Sequence, residues 1–207
     1  AESYGALHDP RLEKSLRLAV DLILTSQKNN PTGGWRYGPD SNDADTTVSG
    51  CQIVALLAAR NAGIPVPDTA IKKGLAYLES CRDSSGSYGY TSKHGGKPTL
   101  TAIASLCFSL AKEKDSAGYQ KSLNILKKNL EYRDSHYAFY FEYYMSQALF
   151  QADEATWEIW NTQNLRLLSV TQQANGSWNG NRGSTYSTAS ALLSTALNYR
   201  FLPIYEK

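Results

Sequence analysis

A loop of the form Gly-x-aromatic recurs between helix-like stretches, and its spacing constrains this chain more than any other feature. The copies are Gly33-Gly34-Trp35, Gly86-Ser87-Tyr88 and Gly176-Ser177-Trp178. Their aromatic residues lie 53 and then 90 positions apart. That fits a unit of about 45 residues, with the loop lost from the third of four units. A repeat of this length with two helices per unit cannot bury its apolar surface alone. It has to stack on its neighbours.

The flanking stretches carry a helical period. Leu12, Leu16, Ala19, Val20, Ile23 and Leu24 step by three and four, which predicts a helix over Arg11–Lys28. The same reasoning predicts helices over Thr46–Ala62, Thr69–Arg82, Thr99–Lys112, Tyr119–Glu131, 135–152, Glu154–Gln173 and Thr185–Tyr199. Asp45 or Thr46 and Asp68 stand where helix caps are expected, and Pro98 stands at a helix start. No strand-like alternation of useful length interrupts them, so the class is all-α.

The two helices of each unit differ in kind. The first carries charge, as in Arg11, Glu13, Lys14 and Arg17, or Lys121, Lys127 and Lys128. The second is nearly charge-free and rich in small residues, as in Gly50, Ala55, Ala58 and Ala59, or Ser187, Thr188, Ala189 and Ser190. A helix apolar all round is buried, and small side chains let neighbours approach. The expected arrangement is two layers, with charged helices outside and small-residue helices inside.

Composition narrows the function classes. The 207 residues carry a net charge of only +2 without a basic stripe, which argues against a nucleic-acid partner. No run approaches a membrane span. The N-terminus shows no charged-then-apolar leader, and the compartment stays open between cytoplasm and, if a leader has been removed, an exported location. Cys51, Cys81 and Cys107 lack metal-ligand spacing and are odd in number. Cys51 and Cys107 lie in apolar runs and are expected as buried thiols, although a bridge within the trio stays open.

The last loop reads Gln172-Gln173-Ala174-Asn175-Gly176-Ser177-Trp178, a Q-x-x-x-G-x-W pattern. Gln27 to Gly34-Trp35 is a stretched version, and Gly86-Ser87-Tyr88 keeps the glycine with Arg82 in the glutamine position. With these loops, and with GGWRY, Asp45-Thr46-Thr47-Val48-Ser49-Gly50 and the tail Tyr199-Arg200-Phe201-Leu202-Pro203-Ile204-Tyr205, the chain resembles the prenyltransferase and squalene-cyclase repeat family. It is particularly similar to that family's small bacterial proteins. The resemblance implies an α/α toroid of helical hairpins over a single domain, residues 1–207. Such toroids commonly have six hairpins and four are visible here. The chain is then either the C-terminal part of a longer protein or an open arc whose uncovered inner helices find a partner, such as a second copy.

The resemblance also frames the chemistry. Cyclases of this type use a D-x-D-D-T segment whose second aspartate protonates an alkene. Asp43-Ala44-Asp45-Thr46-Thr47 places Asp45 on that aspartate, with Asp43 ahead of it and Thr46 where another aspartate would stand. Against that role stands a plain N-cap. Trp35, Tyr37, Tyr88 and Trp178 of the loops, with Tyr137, Tyr140 and Tyr144 of the aromatic stretch 135–152, are candidate ligand-binding rings, because aromatic faces hold cations and sugars. Glu142 among those rings calls for a partner. Without an Asp-x-Cys pair the prenyltransferase type of zinc site is not expected. Gly50-Cys51-Gln52-Ile53 is not the Cys-Gly-Glu-Gln of a thioester toroid. No cofactor is expected.

Three functions follow as expectations. The first is a repeat module that binds or scaffolds, its partner an apolar or isoprenoid small molecule or a second copy of the chain. The second is an isoprenoid cyclase with Asp45 as general acid. The third is a polysaccharide lyase or other carbohydrate-active enzyme using the tyrosine-rich helix as a sugar platform.

Overall fold

The computed structural model describes residues 1–199, all of it helix and loop. The Arg200–Tyr205 part of the tail lies outside the described residues. The helices are α1 (Glu2–Leu7), α2 (Pro10–Asn29), α3 (Thr46–Asn61), α4 (Asp68–Ser80), α5 (Pro98–Leu110), α6 (Ala117–Lys128), α7 (Ala138–Ala152), α8 (Glu154–Thr171) and α9 (Ser184–Ala196). All eight expected helices form, with ends within a few residues of the sequence reading. Only the short α1 was not anticipated.

The small-residue helices form a continuous row: α3 packs on α5, α5 on α7 and α7 on α9. The charged helices α4, α6 and α8 each lie mainly against the row helix that precedes them and also touch the one that follows, while α2 lies beside α3. The reason for the close row is visible at Gly50. A Cβ there would sit 2.1 Å from Cγ2 of Ile103, so only glycine lets α3 and α5 meet at this crossing. Central α5 has ten of its thirteen residues buried, whereas terminal α9 has four, Ser187, Ser190, Ala191 and Ser194. Position in the row, rather than composition, sets that difference.

The three loop copies share one turn. Gly33, Gly86 and Gly176 have φ of 79°, 100° and 84°, a left-handed conformation that favours glycine. Each donates its N–H to the carbonyl three residues back, on Asn30, Asp83 and Gln173. The aromatic residue that follows donates its own N–H to a hydroxyl on the next row helix: Trp35 to Ser49, Tyr88 to Thr101 and Trp178 to Thr188. The indoles of Trp35 and Trp178 reach back to the carbonyls of Ile23 and Leu168. The two tryptophans thereby tie α2 to α3 and α8 to α9.

Candidate functional site

Neighbouring inter-helix segments link to one another. Thr46 N–H and Oγ donate to the carbonyls of Tyr90 and Gly89. Thr99 Oγ1 donates to Asp134 at 2.6 Å, and Asn181 to the carbonyl of His136. The sites named from sequence are therefore joined through this loop network.

Asp45 is wholly buried. Its Oδ1 accepts the N–H groups of Thr47 and Val48, both at 2.8 Å, and the Thr47 hydroxyl. Its Oδ2 accepts Arg36 Nη1 at 3.0 Å. Asp45 is thus the N-cap of α3 and the partner of a guanidinium, and both oxygens are engaged. Asp43 is exposed, with Oδ2 3.4 Å from Arg36 Nε. The guanidinium also lies over two rings, 5.3 Å from the centroid of Tyr37 and 5.2 Å from that of Tyr90, whose hydroxyls are 2.8 Å apart. Burial works against the Arg36 charge, but Tyr90 and the two carboxylates outweigh it and raise its pKa.

Of the candidate rings, Trp35, Tyr88 and Trp178 are buried and belong to the packing. Tyr37 is 76% exposed and faces solvent beside Arg36. Tyr144 is buried, with its hydroxyl 3.0 Å from the Cys51 sulfur, and Tyr140 stacks at a tilt on it with centroids 4.8 Å apart. Burial, and next the nearby Cys51, push the Tyr144 hydroxyl well up. Cys51 itself is exposed and all three cysteines are free, which corrects the expectation of a buried thiol at that position. An apolar run marks a buried helix, but it does not say which of its faces each residue takes. Cys51 lies on the face of α3 turned toward α7.

Glu142 is 3% exposed, and its Oε2 has no hydrogen-bond partner among the described residues. Desolvation raises its carboxyl to about 7 against the opposing pull of Arg133. The anticipated partner is thus a nearby charge, itself held over the Trp160 ring at 4.7 Å.

Tyr137 and Tyr140 line an open cleft of about 190 Å³ between the first turn of α7 and the loop joining α8 to α9. His136, Phe139, Asn179, Asn181, Arg182 and Tyr186 line it too. Arg182 lies 4.9 Å from the Tyr137 ring centroid. Sequence reading passed over Arg36, Tyr90, Arg182 and Tyr186. Arg36 sits within the quoted GGWRY segment, one residue past the aromatic turn, which would have marked it. Nothing in the sequence marked Arg182, because its surroundings come from α7, more than forty positions earlier.

No family model and no curated protein matches this chain.

Proposed function

We propose that the chain is a binding or scaffolding module of the squalene-cyclase and prenyltransferase repeat type, an α/α toroid-like arc without cyclase chemistry. The observation that carries this reading is the engagement of Asp45. An acid that protonates an alkene has to present a free O–H to an apolar chamber. Asp45 instead uses one oxygen to cap α3 and the other to hold Arg36. The contact between Tyr144 of α7 and Cys51 of α3 further supports it, since it spends a candidate ligand-binding tyrosine on linking two row helices. The recurring turn at Gly33, Gly86 and Gly176 supports the repeat.

The test is incubation of the protein with squalene, oxidosqualene and geranylgeranyl diphosphate, followed by extraction and mass spectrometry. Unchanged substrate is the expected result. A cyclised product that disappears with Asp45→Asn would overturn the reading.

A further inference from the structure

Arginines stand in both the first and the last loop, one residue past Trp35 and four past Trp178, and their surroundings differ. Arg36 has two carboxylates within 3.4 Å. Arg182 has none among the described residues and is held only by the Tyr137 ring. The residues that start α9, where α3 has Asp45, are Gly183 and Ser184. The last loop thus carries a cation with no carboxylate beside it among the described residues.

Arg182 opens onto the cleft, and among the described residues no acidic side chain lines it. Contact with the Tyr137 ring takes up no N–H donor of the guanidinium, and its planar fork of donors matches a carboxylate. α9 begins at the cleft without a side-chain cap, so its first N–H groups add positive potential there, whereas ahead of α7 Asp134 already accepts the N–H groups of His136 and Tyr137. Beside the cation lie the Tyr186 ring, 38% exposed, and the amides of Asn179 and Asn181. Aromatic faces stack on pyranose rings, and amides pair with adjacent hydroxyls. At about 190 Å³ the space falls below the roughly 300 Å³ of drug-sized pockets, so it takes one ring and not an isoprenoid chain.

We propose that this cleft binds a sugar acid, a hexuronate unit whose carboxylate pairs with Arg182 and whose ring packs on Tyr186. The inference rests on the binding-module reading and names the class of ligand.

The test is titration of the full chain, followed by NMR or calorimetry, with D-glucuronate and D-galacturonate and with glucose, acetate and inorganic phosphate as probes. At least one uronate is expected to bind at least tenfold tighter than glucose, acetate or phosphate. Arg182→Ala should weaken it tenfold or more, Arg182→Lys less, and Tyr186→Ala several-fold, with melting temperatures unchanged because both side chains are exposed. Equal binding of glucose would show that charge is irrelevant, and equal binding of acetate or phosphate that the ring is. Either outcome, no uronate binding at all, or an unaltered Arg182→Ala overturns the proposal. These outcomes leave the module reading standing, which only a cyclised isoprenoid product removes.

Discussion

The first and last loops begin from the same turn and end in opposite states. At the first, Arg36, Asp43, Asp45, Tyr37 and Tyr90 satisfy one another, and the ring of Trp35 enters the main core. At the last, Arg182 has a ring but no carboxylate among the described residues, α9 starts without a side-chain cap, and Trp178 packs in a small separate cluster with Leu168, Ala191 and Phe139. Two loops built on one turn can thus hold an arginine in opposite settings, one closed by two carboxylates and one held by a ring. The same contrast runs through the two buried acids. Asp45 has a partner for each oxygen, and Glu142 of α7 leaves one oxygen unpaired.

The largest effect expected from this contrast is at the tryptophans. Trp35→Ala should cost about 4 kcal/mol in urea unfolding, and Trp178→Ala about 2, because the rim cluster can relax into the space. Equal losses would show that the two loops contribute alike and break the comparison. Next comes Asp45→Ala, which removes a cap and leaves Arg36 without its buried partner. A loss of about 3 kcal/mol is expected, and Asp45→Asn, which retains an acceptor for the α3 cap, should lose less.

Glu142 gives an effect of opposite sign. Its carboxyl is raised from an ordinary 4.5 to about 7. Between those values the folded state keeps a proton that the unfolded state releases, so stability is greatest below the window and falls as pH rises through it. Glu142→Gln should remove that slope and add up to about 3 kcal/mol at pH 8, read from urea midpoints at pH 5 and pH 8. A variant as pH-dependent as the parent would mean that another group carries the slope. The smallest effect is the transplant of an acid into the last loop. Ser184→Asp places a carboxylate in the first turn of α9 beside Arg182, and should raise stability by about 0.5 kcal/mol. It should also weaken uronate binding, so a variant that binds as before separates the α9 start from the cleft.

The helices were legible because their signals are local and redundant. The three-and-four spacing from Leu12 to Leu24, the acid before Thr46 and the proline at position 98 each mark a helix without reference to the rest of the chain. The site was legible only in part. Asp45 stood out as an acid before a helix, but the choice between cap and general acid depends on Arg36, nine positions earlier, turning back onto Oδ2. Tyr137 and Tyr140 stood out by type. Their cleft partners Arg182 and Tyr186 did not, since periodicity carries no information across more than forty residues.

By itself the sequence determined the helical class, the period of the units, the turn glycines and the contrast between charged and small-residue helices. These follow from backbone preference and burial, which act within a few residues. Only the tertiary structure decided which charges meet. It paired Arg36 with Asp45, left Arg182 open, exposed Cys51 to Tyr144 and set Glu142 close to Arg133. Those outcomes depend on distances between helices, and such distances are set when side chains from separate units pack in three dimensions.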